Sequence, residues 1–458
     1  MIIRSNTSGN TWPAIPSSSD AILLALQYQL EQSQWLPAEQ IQQNQFKQAR
    51  QLLAHAVNTV PYYQNTIPKT LLDDTQPLDW SAWQSIPILE RKNVQENSQD
   101  LISKAIPKDH LPVGAGMTSG STGRPISLLR TRVTSVMWDA FTLRSHLWYK
   151  RNLAGKRAAI RYFESGIADA PLGAMQQGWG TAADMFLPHG KVVALSVSTP
   201  IHEQVKWLLK ENPDYLVSYP SNLGALAEYC AKEKILFTNL KEIATMGELL
   251  SIEQRSLCSE VFGLEIIDTY SAEEIGYIAM QCPSSQHYHV QAENVLLEVL
   301  NDAGEPCKIG EIGRVVLTTL HNFAKPLIRY AIGDYAEVGI SCACGRGLPV
   351  LKKVLGRSRN MFVRPDGTKF WPIFPKINPE FYKEMPVSRQ YQYVQKAVDW
   401  IEIRIAAGGA TYPKHIEEAF ISGARKEFGY PFKITFSYLN AIPRSSNYKY
   451  EEFLSELI

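Results

Sequence analysis

Residues 117–125 read Met-Thr-Ser-Gly-Ser-Thr-Gly-Arg-Pro, four small hydroxyl residues interleaved with two glycines and followed at once by a cation. Gly120 and Gly123 allow the backbone to curl so that successive N–H groups converge. Thr118, Ser119, Ser121 and Thr122 add hydroxyl donors, and Arg124 adds charge. That chemistry suits a polyphosphate. The spacing is not that of a Walker A loop, and the nearby Gly114-x-Gly116 has no third glycine at dinucleotide-binding spacing. The same composition fits a Ser/Gly-rich surface linker, so the stretch alone leaves both readings open.

A second group could hold a metal. Cys282, His287, His289, Cys342 and Cys344 offer a nearby pair and a remote pair, Cys282-x6-His289 and Cys342-x-Cys344, which a fold could close into a Cys₃His zinc site. The competing readings are scattered buried residues, or a disulfide across the very small Cys342–Cys344 loop, which a reducing compartment disfavours.

These residues need elements to hold them. Residues 20–110 read as helical and Gln-rich, with a helix around 43–57 and a break at Val60-Pro-Tyr-Tyr63. The apolar run 21–26 is short and leads into Gln and Glu, which predicts an amphipathic helix and not a membrane span. From about residue 111, strand-like runs at 158–162, 191–196, 215–218 and 265–268 alternate with amphipathic stretches at 201–209 and 223–232, the βαβ rhythm of a parallel sheet. Beyond Gln291 close-spaced strands at 295–300 and 313–319 predict a β-rich subdomain. After Gly356-Arg357, strands at 400–405 and 432–436 flank a helix at 415–428, a compact α/β unit of its own. No internal repeat is present.

With 458 residues, 45% of them hydrophobic, the chain can bury more than one core. A formal charge of +1 gives no field for nucleic acid or an anionic membrane, so neither is an expected partner. Residues 1–19 are polar, are expected to be irregular, and lack the basic start and apolar run of a secretory signal; a cytoplasmic location with reduced cysteines is expected.

Downstream of the 117–125 loop follow Thr245-Met-Gly-Glu248, Asp268-Thr-Tyr-Ser-Ala-Glu-Glu-Ile-Gly276, Leu327-Ile-Arg-Tyr-Ala-Ile-Gly-Asp334, Gly356-Arg-Ser-Arg359 and Pro443-Arg-Ser-Ser-Asn-Tyr-Lys449. In this order the motifs resemble the adenylate-forming superfamily of acyl-CoA synthetases and adenylation domains, most closely the phenylacetate-CoA ligase branch and related capsule-biosynthesis proteins. The resemblance covers the chain from about residue 50 to the end. It implies a mixed α/β fold with a large N-terminal domain, 1–355, whose β-rich subdomain spans 291–355, and a small mobile C-terminal domain, 356–458.

The resemblance also implies roles. The loop from Thr118 to Arg124 would hold the β- and γ-phosphates of ATP, and Glu274 would help bind Mg²⁺. Tyr270 would lie near the adenine, with Asp268 and Ser271 in the same motif, and Gly247 with Glu248 would let the chain pass close to the nucleotide. Asp334 would accept both ribose hydroxyls, which one carboxylate can do with its two oxygens. Arg357 would reach ribose or phosphate. Lys449 would bridge the acid's carboxylate and the α-phosphate, a task for a compact point charge on a long stem. Each has a plain alternative: an exposed helix start for Glu273-Glu274, a hairpin turn for Ile-Gly-Asp334, and surface positions for Arg357 and Lys449.

Arg359-Asn360 stands where the family carries an acidic hinge residue, so Arg359 is the candidate hinge. Tyr448-Lys449 stands in place of the usual Gly-Lys. In several relatives of the phenylacetate-CoA ligase branch the Cys/His pattern ending Cys-x-Cys-Gly-Arg holds a structural zinc, with His289 fitting better than His287. An acyl pocket lined by Trp138, Phe141 and Tyr219 would favour an aromatic or apolar acid, although each is also an ordinary core aromatic.

The implied reaction joins a carboxylic acid to ATP as an acyl-adenylate and then transfers the acyl group to coenzyme A. A carrier-protein phosphopantetheine or an amine could serve as acceptor after the same first step, with the enzyme a monomer or homodimer. A scaffold that binds nucleotide without turnover is the rival class. A hydrolase using Ser119 or Ser121 lacks the Gly-x-Ser-x-Gly elbow.

Overall fold

The computed structural model describes residues 2–117, 126–357, 360–372, 381, 390–407, 409–444 and 450–457. The chain folds into two compact units. The first comprises 1–155, 176–192 and 268–354, and the second 156–175, 193–267 and 355–458.

In the first unit a seven-stranded sheet carries the order Thr269–Ala272, Gly276–Gln281, Tyr288–Val290, Val350–Arg357, Tyr330–Val338, Ile312–Thr319, Val295–Leu300. The first four and the last three run antiparallel to their neighbours. Runs such as Val-Leu-Leu-Glu-Val-Leu are buried along nearly their whole length, because a helical layer and the sheet share one core. Helix Ala38–Thr59 contributes Phe46, Leu52, Leu53 and Ala56 to that core, against Ile278, Val290, Leu317 and Tyr330 from the sheet. Helix Arg132–Trp148, capped by the Thr131 hydroxyl, packs on helix Ser18–Ser33 and strand Gly276–Gln281.

A hairpin of Val113–Met117 and Ser127–Thr131 pairs Met117 with Ser127, so both ends of the 118–125 segment are anchored in one ladder. The N-terminal expectation needs correction: Ile2–Ile3 is a short strand paired with Phe186–Leu187, and the first helix already begins at Ser18. Two residues carry no periodicity, and their partner lies far along the chain.

The second unit holds the parallel sheet. Ile266–Ile267, Glu242–Thr245, Tyr215–Ser218 and Arg157–Arg161 pair in parallel, with Lys191–Ser196 next in order and Ala174–Gln177 at the edge. Helices Ile201–Glu211, Pro220–Glu233 and Ile252–Phe262 cover it. The last begins in a capping box, in which Ser251 and Gln254 exchange side-chain and backbone hydrogen bonds. In the same unit a four-stranded sheet, ordered Lys433–Leu439, Trp400–Ala406, Gln390–Ala397, Phe453–Ser455, packs on helix Lys414–Phe428 around Phe362, Tyr393, Ile403, Phe420 and Phe428. Among the described residues no helix is long and apolar enough to cross a membrane.

Candidate functional site

In the first unit the candidate nucleotide residues Tyr270 and Asp334 sit on the first and fifth strands of the seven-stranded sheet. Asp334 lies inside strand Tyr330–Val338 and not in a hairpin turn. The register shifts opposite it, between Arg314 and Val316, and Gly333 takes φ of +92°. The bulge re-aims the side chain that follows, as bulges beside binding sites do. Tyr270, at the register shift of strand Thr269–Ala272, donates its hydroxyl to Asp334 Oδ2 at 2.7 Å. Both residues are buried, so the carboxylate is held in one rotation by a neutral donor.

Asp268 accepts the Tyr288 hydroxyl at 2.6 Å, and its backbone N–H donates to Gln281 Oε1 at 3.0 Å. Ser271 is half-buried in the same strand.

Glu273 and Glu274 occupy the turn between strands Thr269–Ala272 and Gly276–Gln281, so the helix-start alternative does not apply. Their environments diverge. Glu273 is exposed and paired with exposed Arg130, whereas the Glu274 side chain is only 5% accessible and its Oε1 lies 3.3 Å from Arg91 Nη1. Arg91 also donates to the Tyr330 hydroxyl at 3.2 Å. Arg91 escaped sequence reasoning because its partners stand 183 and 239 residues away.

Of the aromatic pocket candidates, Phe141 is fully buried. Trp138 is 45% exposed and packs at 4.6 Å on Tyr277, a further aromatic whose ring also lies 6.3 Å from Phe141. Nothing in the sequence singled out Tyr277.

In the second unit, Tyr219 caps helix Pro220–Glu233 and its hydroxyl accepts the Tyr162 N–H at 3.3 Å. Gly247 takes φ of +74°, a conformation that suits glycine, at the turn leading to Glu248. Glu248 is enclosed: Oε2 accepts the Ser221 N–H at 3.1 Å and Oε1 the Tyr450 N–H at 2.7 Å. Burial nevertheless raises its carboxyl above the ordinary range, more than these donors and Arg444 lower it. The backbone N–H of Arg357 donates to Asn360 Oδ1 at 2.9 Å. Thr118, Ser119, Gly120, Ser121, Thr122, Gly123 and Arg124, the hinge candidate Arg359, and Lys449 lie outside the described residues.

Near Glu248, Glu452 accepts Gln254 Nε2 at 2.9 Å and the Tyr391 hydroxyl at 3.4 Å. Burial first, then the charges of Glu253 and Glu248, pushes Glu452 up to about 8 from 4.5. A raised acid holds its proton in the folded chain while the unfolded chain has lost it. Stability therefore falls as pH rises from the unfolded value toward about 8. Glu452→Gln keeps the acceptor oxygen without the charge. It is expected to leave the melting temperature unchanged near pH 5 and to raise stability by roughly 2–4 kcal/mol at pH 9. Thermal melts of both proteins across that range check this, and parallel curves would refute it.

The Cys/His cluster forms in the first unit. One donor atom each from Cys282, His289, Cys342 and Cys344 lies within 4.8 Å of all the others. Cys282 Sγ and Cys342 Sγ are 3.7 Å apart, and Cys344 Sγ is 3.3 Å from His289 Nε2. A tetrahedral zinc with bonds of about 2.3 Å to sulfur needs S···S edges of about 3.8 Å, so the donors fit that ion. A disulfide needs about 2.05 Å, and all six cysteines are free thiols.

Backbone N–H groups of Ser284 and Cys344 donate to Cys282 Sγ and Cys342 Sγ at 3.4 and 3.3 Å, while burial pushes the Cys342 thiol up to about 12. Burial, with His287 and Arg346 nearby, holds His289 down to about 4, the neutral form a metal requires. The Trp148 ring lies edge-on to His289 at 5.8 Å, and Arg346 stacks over Trp148 at 4.3 Å. His287 is not among the four donors; its ring lies 5.4 Å from that of His289, and it contacts Ser285.

Comparison with known proteins places the chain. It is 24% identical over 341 residues to a phenylacetate-coenzyme A ligase of Thermus thermophilus, covering 72% of this chain and 73% of that one. It is 23% identical over 381 residues to a phenylacetate-coenzyme A ligase of Pseudomonas putida, covering 80% and 81%. No family model matches the chain. Among solved structures, a 2-hydroxyisobutyryl-CoA ligase in the postadenylation state superposes with a TM-score of 0.69 at 17% identity, over 93% of this chain and 92% of that one. An anthranilate CoA ligase with bound anthranoyl-AMP gives 0.52 at 15% identity, over 73% and 65%. The chain is thus a sequence relative of the phenylacetate-coenzyme A ligases and has the fold of the adenylate-forming enzymes.

Proposed function

We propose that this protein activates a carboxylic acid with ATP, releasing pyrophosphate, and passes the acyl group from the adenylate to the thiol of coenzyme A. The observation that carries the reading is the buried Tyr270–Asp334 hydrogen bond between two strands of one sheet, in a chain whose relatives are CoA ligases over most of its length.

In this reading Asp334 binds the ribose hydroxyls, with its rotation set by Tyr270. Glu274, enclosed beside Arg91, would help hold the Mg²⁺ that neutralises the phosphates. The loop Thr118–Arg124 would supply the donors and the cation that the β- and γ-phosphates need as charge develops on pyrophosphate. Lys449 brings the acid's carboxylate and the α-phosphate together despite their like charge. Residues 356–458 act as the small mobile domain, with Arg359 at its hinge. Trp138 and Tyr277 line the acid's approach, which favours an aromatic or apolar acid.

ATP/pyrophosphate exchange with Mg²⁺ and a panel of aromatic and short branched acids tests the first step, and thioester formation with coenzyme A tests the second. Exchange with none of the acids sinks the enzyme reading. Exchange without thioester, restored by a carrier protein or an amine, changes the acceptor.

The Cys₃His cluster holds a structural zinc in this reading and takes no part in the chemistry, because four protein ligands leave no open position. Metal analysis is expected to find a single zinc per chain. Cys344→Ser or a strong chelator is expected to remove it and to lower the melting temperature by roughly 5 °C or more. Metal-free protein with an unchanged melt refutes the site.

A further inference from the structure

The hairpin of strands Gly276–Gln281 and Tyr288–Val290 serves two sites at once. Cys282 and His289 give their side chains to the four-donor cluster. Their chain neighbours Gln281 and Tyr288 stand directly opposite each other across the ladder, and alternation turns Tyr288 to the face away from His289.

Both neighbours meet Asp268. The Tyr288 hydroxyl donates to Asp268 Oδ2 at 2.6 Å, and the Asp268 N–H donates to Gln281 Oε1 at 3.0 Å. The Gln281 N–H in turn donates to the Asp268 carbonyl at 3.2 Å. Asp268 is thus held at its side chain, its N–H and its carbonyl by two residues that each adjoin a cluster ligand. All three residues are buried, so water competes little for these bonds.

Asp268 leads directly into strand Thr269–Ala272. Thr269 pairs with Met280, which pairs with His289, and on the next rung Tyr270 pairs with Ala279. Asp268 and Tyr270 therefore share one face, two residues apart, and Tyr270 is the donor that fixes the Asp334 carboxylate at 2.7 Å. The contacts run unbroken from cluster to Asp334: Cys282 and His289 fix the hairpin's end, Gln281 and Tyr288 fix Asp268, and Asp268 fixes the start of the strand that carries Tyr270.

We propose that Tyr288 and Gln281 are positioning residues that link the Cys₃His cluster to nucleotide affinity, so that zinc held by Cys282, His289, Cys342 and Cys344 strengthens nucleotide binding without supplying a ligand to it. The proposal rests on the adenylation reading above and adds a coupling between two sites which that reading leaves independent. Such coupling is reciprocal: the factor that zinc adds to nucleotide affinity, the nucleotide adds to zinc affinity.

Competition for zinc with a chromogenic chelator, read at equilibrium on full-length protein with and without AMP, tests it. AMP keeps the adenosine of ATP without the triphosphate chain that would itself compete for the metal. In the parent, saturating AMP is expected to tighten zinc binding at least about fivefold, and in Tyr288→Phe by about twofold or less. Tyr288→Phe and Gln281→Met keep all four ligands, so they judge the link even where zinc-stripped protein unfolds. In pyrophosphate exchange both variants are expected to raise KM for ATP about five- to twentyfold, with kcat and KM for the acid within about threefold of the parent. A general loosening of the fold would move all three.

An equal effect of AMP on zinc in the parent and in Tyr288→Phe overturns the proposal, as does an unchanged KM for ATP in both variants, or protein that binds no zinc. Failure of the adenylation reading looks different: no acid supports exchange, while AMP binds and its effect on zinc still judges the link. A parent that binds neither AMP nor ATP sinks both.

Discussion

Asp334→Ala is expected to lower kcat/KM for ATP in pyrophosphate exchange by two to four orders of magnitude. A hydrogen bond to a charged acceptor contributes roughly 1.5–3 kcal/mol, and two ribose hydroxyls on one carboxylate give roughly 3–6 kcal/mol. The geometry supports the upper part of that range. Asp334 is buried, and the Tyr270 hydroxyl at 2.7 Å fixes its plane before any ligand arrives, so little ordering is left to be done on binding. Tyr270→Phe removes that orienting donor but leaves the charge, and a loss of about tenfold is expected. The decisive comparison uses ATP and its 2′-deoxy and 3′-deoxy analogues. The parent enzyme should discriminate against both analogues and Asp334→Ala should treat all three nearly alike. A variant that still discriminates would show that another group reads the ribose.

The neighbourhood of Asp334 shows where sequence reasoning reaches and where it stops. Hydrophobic runs located Lys191–Ser196, Tyr215–Ser218 and Val295–Leu300 at their observed bounds, because a buried strand needs no partner to declare itself. Ile-Gly-Asp334, by contrast, has the local chemistry of a turn. In the fold it lies within a nine-residue strand, since pairing with Ile312–Thr319 outweighs turn propensity and Gly333 absorbs the mismatch as a bulge. For the acidic pair at 273–274 the flanking Tyr270 and Gly276 favour Glu274, but Arg91, which encloses it, comes from a segment with no motif of its own.

The Cys/His pattern favours His289 over His287. Residues two positions apart on a strand share a face, so alternation does not choose between them; the resemblance does, and in the fold His289 is the one that meets Cys344. Phe141 could not be sorted at all. A pocket wall and a core have the same composition, and only the packing shows that it is fully buried. Glu248 sat within a motif that carried a ready role, and its grip on residues 444 and 450 depends on chain segments about 200 residues apart.

Arg329→Met is expected to cost about 3–5 kcal/mol of stability, the largest single loss foreseen in the first unit. Arg329 belongs to the Leu327–Asp334 motif, yet its side chain is buried in the core. Nε and Nη2 meet Glu298 Oε2 and Oε1 at 3.0 and 2.9 Å in a two-pronged pair, and both side chains are under 5% accessible. Nη1 donates to the Gln84 and Ile86 carbonyls, and the Trp83 indole donates to the same Glu298. Removing the cation leaves Glu298 as an uncompensated buried charge, a heavier penalty than losing the pair. Arg329→Met combined with Glu298→Leu removes both charges. It is expected to recover more than half of the loss, although the carbonyls of Gln84 and Ile86 lose their donor in either variant.

Urea unfolding of the parent, the single variant and the double variant measures this directly, and a single-variant cost below about 1 kcal/mol would show that water or a neighbouring cation rescues Glu298. The backbone of Arg329 strengthens the inference. With φ of +47°, a non-glycine residue is held in a sparsely populated region at the entry to strand Tyr330–Val338, where its carbonyl accepts the Leu89 N–H. The ion pair therefore secures the start of the strand on which Asp334 lies five residues later. Arg329→Met protein that remains folded should lose discrimination between ATP and its deoxy analogues in proportion to the displacement of that strand, which separates a scaffold role from a chemical one.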